Sequence, residues 1–253
     1  MKNTDSLTRF YSGISRLVLP VPKYLFPHEH QNSSRLAYYA TFFNSIEINS
    51  TFYKLPMGKT IAKWSEQVPE GFKFTFKLWK EITHVKNLNF KAEDVEAFFK
   101  VVAHAGSKKG CVLIQFPPSL GSAHLVQLDA LLTCIRENNL NQGWNIAVEF
   151  RNKSWYQPEV YELLETYNTA MVVQDIPKSR TPLIEHTSDF MYIRFHGPTG
   201  NYRDSYSDEF LSEYAIYVRE WLEQSKTVYV YFNNTMGDAF KNLVALNNFI
   251  YST

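Results

Sequence analysis

The sequence predicts an α/β fold of the TIM-type (β/α)8 barrel class, and three observations lead there. Eight short β-rich runs alternate with longer amphipathic stretches, the pattern of βαβ units on a parallel sheet. The best runs, CVLIQ, MVVQ and TVYVYF, are nearly continuous in apolar residues, as strands covered on both faces are. The length, 253 residues, suits one such barrel. One domain over residues 1–253 is therefore expected.

The elements follow in order. Phe10–Ile14 opens as the first strand. Ser34–Phe43 then carries Leu36, Tyr39, Ala40 and Phe43 at helical spacing. The second strand, Ser45–Asn49, precedes a helix at Lys59–Gln67, which places Ile61 and Trp64 one turn apart. Lys73–Lys77, Cys111–Gln115 and Asn145–Glu149 are the next strands, returned by helices at Ala92–Ala105, Leu125–Glu137 and Glu159–Tyr167. Ala170–Gln174 is the sixth strand. The segment after it, IPKSRTPLIEHTSD, holds two prolines; it cannot form a regular helix of three turns, so a loop replaces the helix there. Phe190–Arg194 and Thr227–Phe232 complete the strands, followed by helices at Asp208–Glu223, with Asp208 as N-cap, and Asp238–Tyr251. An open doubly wound sheet is the alternative. It would carry a Gly-rich phosphate turn after the first strand, where SGISRL has one glycine.

Composition excludes several functions. Lys and Arg total 26 against 25 Asp and Glu, which argues against a nucleic-acid coat without excluding a local basic pocket. The N-terminus lacks a secretory apolar core, and no apolar run approaches the roughly 20 residues of a membrane span. Cys111 and Cys134 have no CxxC partner and read as reduced, buried thiols. The expectation is a cytoplasmic protein with no membrane partner.

In a parallel barrel, active sites gather at the strand C-termini. Here those ends are polar: Glu47 and Asn49, Lys77, Gln115, Glu149 and Arg151, Asp175, Arg194 and His196, Asn233 and Asn234. Residues two apart share a face, so Glu47 with Asn49, Glu149 with Arg151, and Arg194 with His196 turn to one side. Three acids, three cations and an imidazole thus converge in one of two roles. The functional one is a pocket for a small anionic or polyhydroxylated molecule, served by an acid/base isomerase, lyase or hydrolase. His196, Glu47, Glu149 and Asp175 are then the catalytic candidates. Asn49, Tyr53, Lys77, His84, Gln115, Arg151, Trp155, Arg194 and Asn233 are the substrate-binding ones. The structural role is a salt-bridge network that locks the barrel top in a non-enzymatic binding or adaptor protein. A divalent metal on Glu47, Glu149, Asp175 and His196, as in a hydrolase or nuclease-like barrel, ranks lower because three cations oppose it. A glycosidase pair of Glu47 and Glu149 is weakened by Arg151 beside it. No cofactor motif is evident, and neither GxSxG nor GxxxxGK[ST] occurs. Among the remaining histidines, His28, His30, His104, His124 and His186 read as solvated; the tryptophans read as packing, except that Trp79 and Trp155 follow strand ends and could line a pocket mouth.

The strand ends also carry a resemblance. FNSIEINSTFYKLP, FKFTFKLWKEITH, LIQFPPSL, AVEFRNKSWY, DFMYIRFHG and VYVYFNNT resemble, in order, the motifs of the YecE-like family, domain-of-unknown-function family 72. EINSTFY and VEFR…SW are the sharpest, and the match runs from about Arg35 to Phe249. The resemblance implies a TIM-type barrel and no established activity. The chain departs from the family's G-T-S-G-W-like run after strand one, where it has Ser12-Gly13-Ile14-Ser15-Arg16-Leu17.

Overall fold

The computed structural model describes residues 8–182 and 187–252. Nine short strands form two parallel sheets among these residues. We number them β1 Phe10–Ile14, β2 Ser45–Ile48, β3 Lys73–Lys77, β4 Lys109–Gln115, β5 Asn145–Glu149, β6 Ala170–Met171, β7 Val173–Gln174, β8 Phe190–Phe195 and β9 Thr227–Phe232. One sheet runs β2-β3-β4-β5-β6 and the other β1-β9-β8-β7.

The expected sixth strand is thus two strands. Ala170 and Met171 pair with Ala147 and Val148, whereas Val173 and Gln174 pair with Ile193 and Arg194. Val172, between them, still donates its N–H to Val148 O at 2.9 Å. At the opposite edges, side chains replace a backbone ladder. Ser12 N donates to Asn44 Oδ1 (2.9 Å), and Asn44 Nδ2 donates to Phe10 O (2.8 Å). Tyr39 OH accepts from Ile14 N (2.8 Å) and donates to Ser45 O (3.0 Å). Gly13 is required here, because a Cβ would overlap the Ser45 carbonyl.

The helices are α1 Arg35–Tyr39, α2 Ser50–Tyr53, α3 Gly58–Glu66, α4 Lys80–Thr83, α5 Ala92–Val102, α6 Leu125–Asn139, α7 Pro158–Thr166, α8 Asp208–Glu223 and α9 Ala239–Tyr251. Two expectations need correction. Asp208 is the first helical residue and not the cap; Ser207 caps α8 by accepting from Phe210 N, which leaves Asp208 and Glu209 free to face the positive end of the helix dipole. The helix expected at Ser34–Phe43 is only five residues long, with Ser34 accepting from Ala37 N. The segment after β7 shows no helix over 176–182 or 187–189. Residues 183–186, His186 among them, lie outside the described residues, as do residues 1–7 of the N-terminal reading.

The sheets have two different faces. The face toward the helices is a continuous apolar core that includes Phe74, Phe76, Ile114, Val148 and Ile193. The other face carries a second cluster of Cys111, Leu113, Ala147, Phe190, Tyr192, Tyr229 and Tyr231, residues of alternate parity on their strands. Tyr231 OH is held by Ser45 Oγ (2.5 Å) and Thr75 Oγ1 (2.8 Å). Much of the aromatic excess is thus interior filling. Cys111 is buried, and Cys134 on α6 is only partly so. His28 and His104 are exposed, and His30 and His124 are half-buried. No helix of the described residues is long and apolar enough to cross a membrane.

Candidate functional site

The period-two rule carries the inner face upward from aromatic to charged residues. On β8 the order is Phe190, Tyr192, Arg194 and then His196. On β2 it is Ser45 and Glu47, and on β5 it is Ala147, Glu149 and then Arg151. The polar tips therefore lie above the Tyr192 and Tyr231 layer.

Arg194, 1% exposed, is the hub. Its Nε and Nη2 donate to Glu47 Oε2 (3.0 Å) and Oε1 (2.7 Å), and its Nη1 donates to Glu149 Oε2 (2.5 Å). Tyr192 OH donates to Glu47 Oε2 at 2.6 Å. Arg151 Nε closes the set on Glu149 Oε1. Both carboxylates are fully buried, which by itself would raise their pKa values. Arg194 overrides this at Glu47, and Arg151 with Arg194 overrides it at Glu149, so both acids sit below the usual carboxylate range.

His196 belongs to the same network. Arg151 Nη2 and Arg194 Nη1 both donate to its Nε2, at 3.1 and 3.2 Å. Guanidinium nitrogens cannot accept, so Nε2 must be the acceptor and the ring proton sits on Nδ1. That nitrogen faces Asp175 Oδ1 at 3.3 Å. Burial, with the two guanidiniums, keeps the imidazole below its ordinary pKa despite Glu149 and Asp175. Asp175 also accepts from His196 N (2.8 Å) and from Tyr206 OH.

Above this layer opens a pocket of ≈ 350 Å³. Seven of the expected binding residues line it: Asn49, Tyr53, Lys77, Gln115, Arg151, Arg194 and Asn233. Lys77 Nζ donates to Gln115 Oε1 (2.8 Å) and lies 4.1 Å from the Phe52 ring centre. No ion pair among the described residues includes it. Burial, then Arg194, pull its pKa down to about 8 against the pull of Glu149 and Glu47. Asn49 Nδ2 donates to Ser15 O (2.7 Å), while its buried Oδ1 has no partner.

Other expectations separate from the pocket. Trp155 is fully buried, stacks on Phe150 at 4.8 Å, and donates Nε1–H to Leu120 O (2.7 Å). It packs the wall behind β5 and does not reach the pocket. His84 packs edge-on against Phe52 at 4.8 Å and bonds Thr83 Oγ1; burial and Lys77 bring its pKa down to about 4. Glu47, Glu149 and His196 lie beneath the lining, with the guanidiniums between them and the opening. Every oxygen of Glu47 and Glu149 already accepts a hydrogen bond from Arg or Tyr. A metal or glycosidase role for this pair would first need those bonds broken. No group of three His, Cys, Asp or Glu suited to a metal occurs among the described residues.

Sequence reasoning passed over Ser15, Arg16, Tyr202, Thr235 and Met236, all lining residues. Tyr192 was also missed, although its position two before Arg194 places it on the same face. Tyr202 had no periodic signal. It arrives because Gly197 adopts φ +94 and Tyr202 N returns to His196 O (2.7 Å), which lets Arg151 Nη1 donate to Tyr202 OH (3.2 Å).

Relatives share this chain over nearly its whole length. The family described as "Protein of unknown function DUF72" matches residues 18–251. The UPF0759 protein YunF of Bacillus subtilis is 27% identical, over 90% of this chain and 92% of its own. A crystal structure of a DUF72 family protein from Thermotoga maritima superposes with a TM-score of 0.75 at 28% identity, covering 94% and 98% of the two chains. One from Enterococcus faecalis gives 0.78 at 23%, covering 95% of each. The chain belongs to the DUF72, or YecE-like, family.

Proposed function

We propose that the pocket binds a small anionic, hydroxyl-bearing molecule, as an enzyme site or a ligand site. The carrying observation is the sorting of charge by depth. Four cations, Arg16, Lys77, Arg151 and Arg194, line the opening with no carboxylate among them, while Glu47 and Glu149 lie beneath, their charges spent on Arg194 and Arg151. Such a wall attracts an anion, and Arg offers planar, paired donors to carboxylate or phosphate. The unpartnered Asn49 Oδ1 would accept from a ligand hydroxyl that reaches it.

In this reading the buried acids preorganise the cations. His196 orients Arg151 and Arg194 as an acceptor, a change from the proton-transfer role expected of it. The same reading takes residues 1–253 as one unit and the two sheets as one closed (β/α)8 barrel. The Val172 junction and the Asn44 and Tyr39 bridges support that closure. The site then sits where barrel enzymes place theirs.

Calorimetric titration with inorganic phosphate, citrate and glycerol 3-phosphate tests the proposal. At least one should bind, with affinity falling as salt rises and falling several-fold in Arg16→Ala, which lies outside the buried network. Absence of heat and of thermal stabilisation by all three at millimolar concentration refutes it.

A further inference from the structure

Lys77 is the pocket group whose environment is least explained by structure alone. Arg151 and Arg194 beside it each have a carboxylate partner. Lys77 has a neutral amide, Gln115, and an aromatic face, Phe52. It stands at the end of β3, and Arg16, Arg151 and Arg194 line the same pocket. An amine that is desolvated and faced by cations loses its proton more readily and becomes a nucleophile at moderate pH.

We propose that Lys77 forms an imine with the carbonyl group of an anionic substrate, a keto acid or a sugar phosphate, whose charge is held by Arg16, Arg151 and Arg194. This rests on the anion pocket proposed above and adds to it a substrate class and a covalent step. The neutral Nζ attacks the carbonyl carbon. A C–N bond forms, and the C=O π pair moves to oxygen, which takes a proton. Nitrogen gives up a proton; the hydroxyl then takes up the proton that the ammonium had released and leaves as water, while the nitrogen lone pair forms the C=N bond. The balance is one ammonium plus one carbonyl giving one iminium plus one water, so no oxidant or further reactant enters. The lowered Lys77 pKa, about 8, supplies neutral amine to roughly one molecule in ten at pH 7. Ser15, Tyr53, Tyr202 and Thr235 bring hydroxyl groups to the same lining.

The full chain is incubated with pyruvate or glyceraldehyde 3-phosphate, then reduced with borohydride, which turns the iminium into a stable secondary amine. Intact mass and peptide mapping read the product. The expected result is one adduct per chain at Lys77, absent in Lys77→Arg and suppressed at least fivefold by inorganic phosphate. Its formation rate should have a pH midpoint near 8, well below the roughly 10.4 of an ordinary amine. Neutral glyceraldehyde should label Lys77 at least fivefold less than its phosphate. Phosphate binding by calorimetry with no Lys77 adduct overturns the imine and leaves the anion pocket standing. A Lys77 adduct formed equally with the neutral aldehyde and indifferent to phosphate overturns the anionic substrate class. An adduct scattered over surface lysines, unchanged in Lys77→Arg, also overturns the proposal.

Discussion

Replacing Glu149 by Gln should unfold this protein more readily than any surface change. Glu149 is fully buried and accepts from Arg151 Nε and Arg194 Nη1. Gln keeps the shape but turns an NH2 group against one guanidinium, donor facing donor. The buried set Glu47, Glu149, Arg151 and Arg194 is neutral as it stands and would carry one uncompensated positive charge. Breaking a buried pair this way costs about 3–5 kcal/mol. For a chain of this size that lowers Tm by roughly 6–20 °C. Urea unfolding followed by circular dichroism measures it, with the exposed pair Glu96–Lys100, 51% and 70% exposed, as the control; Lys100→Ala should cost under about 1 kcal/mol. The effect also has a pH signature. Glu149 titrates below the ordinary carboxylate value of 4.5 in the fold, so its stabilising contribution is complete well above that value and is lost as pH falls below it. The gap between wild type and Glu149→Gln should therefore narrow by about 1.4 kcal/mol on going from pH 7 to pH 3.5. A gap under about 1 kcal/mol at pH 7, or one that does not narrow in acid, refutes the reasoning.

Three further outcomes follow from the same geometry. Lys77 gives up its proton near 8 in the fold and near 10.5 when unfolded, so wild-type stability should rise through that window. Lys77→Met should lose the rise and be more stable at pH 7 by up to roughly 3 kcal/mol; a less stable variant would contradict the desolvation argument. His196 should stay neutral, with its proton on Nδ1, at pH 6.5, and nitrogen-15 NMR reads this directly. An imidazole titrating at or above 6.5 would mean that the two guanidiniums do not face Nε2. Gly13→Ala should cost about 1–3 kcal/mol by overpacking against Ser45, whereas Gly71→Ala, with nothing within 4 Å of the added Cβ, should be near neutral in the same unfolding assay. Equal effects would deny the close approach of β1 to β2.

Much of the site was legible because strands write it in period two. Glu47, Glu149, Arg151, Arg194 and His196 fall at strand ends in positions that share a face, and all five meet in one hydrogen-bonded set. Pocket residues on loops were less legible. Tyr202 and Arg16 reach the lining through loop conformations, which no spacing rule encodes. Trp155 misled because proximity to a strand end does not say which way a side chain turns; its indole faces Phe150 and Leu120. The split of the sixth strand at Val172 was hidden for a related reason. Backbone partners depend on neighbouring strands, and the local run MVVQ is β-prone throughout.

The amino-acid sequence by itself determined the alternating α/β architecture, the parity of the strand-end residues and the membership in the DUF72 family. Local propensity, periodicity and motif order are properties of short stretches of chain. Only the tertiary structure decided what those residues do to one another. It placed both glutamates beneath the arginines, directed both guanidiniums onto His196 Nε2, and left Lys77 without a carboxylate partner among the described residues. Each of those outcomes depends on depth and on distances between strands far apart in the chain, and burial multiplies the energy of every such charge contact.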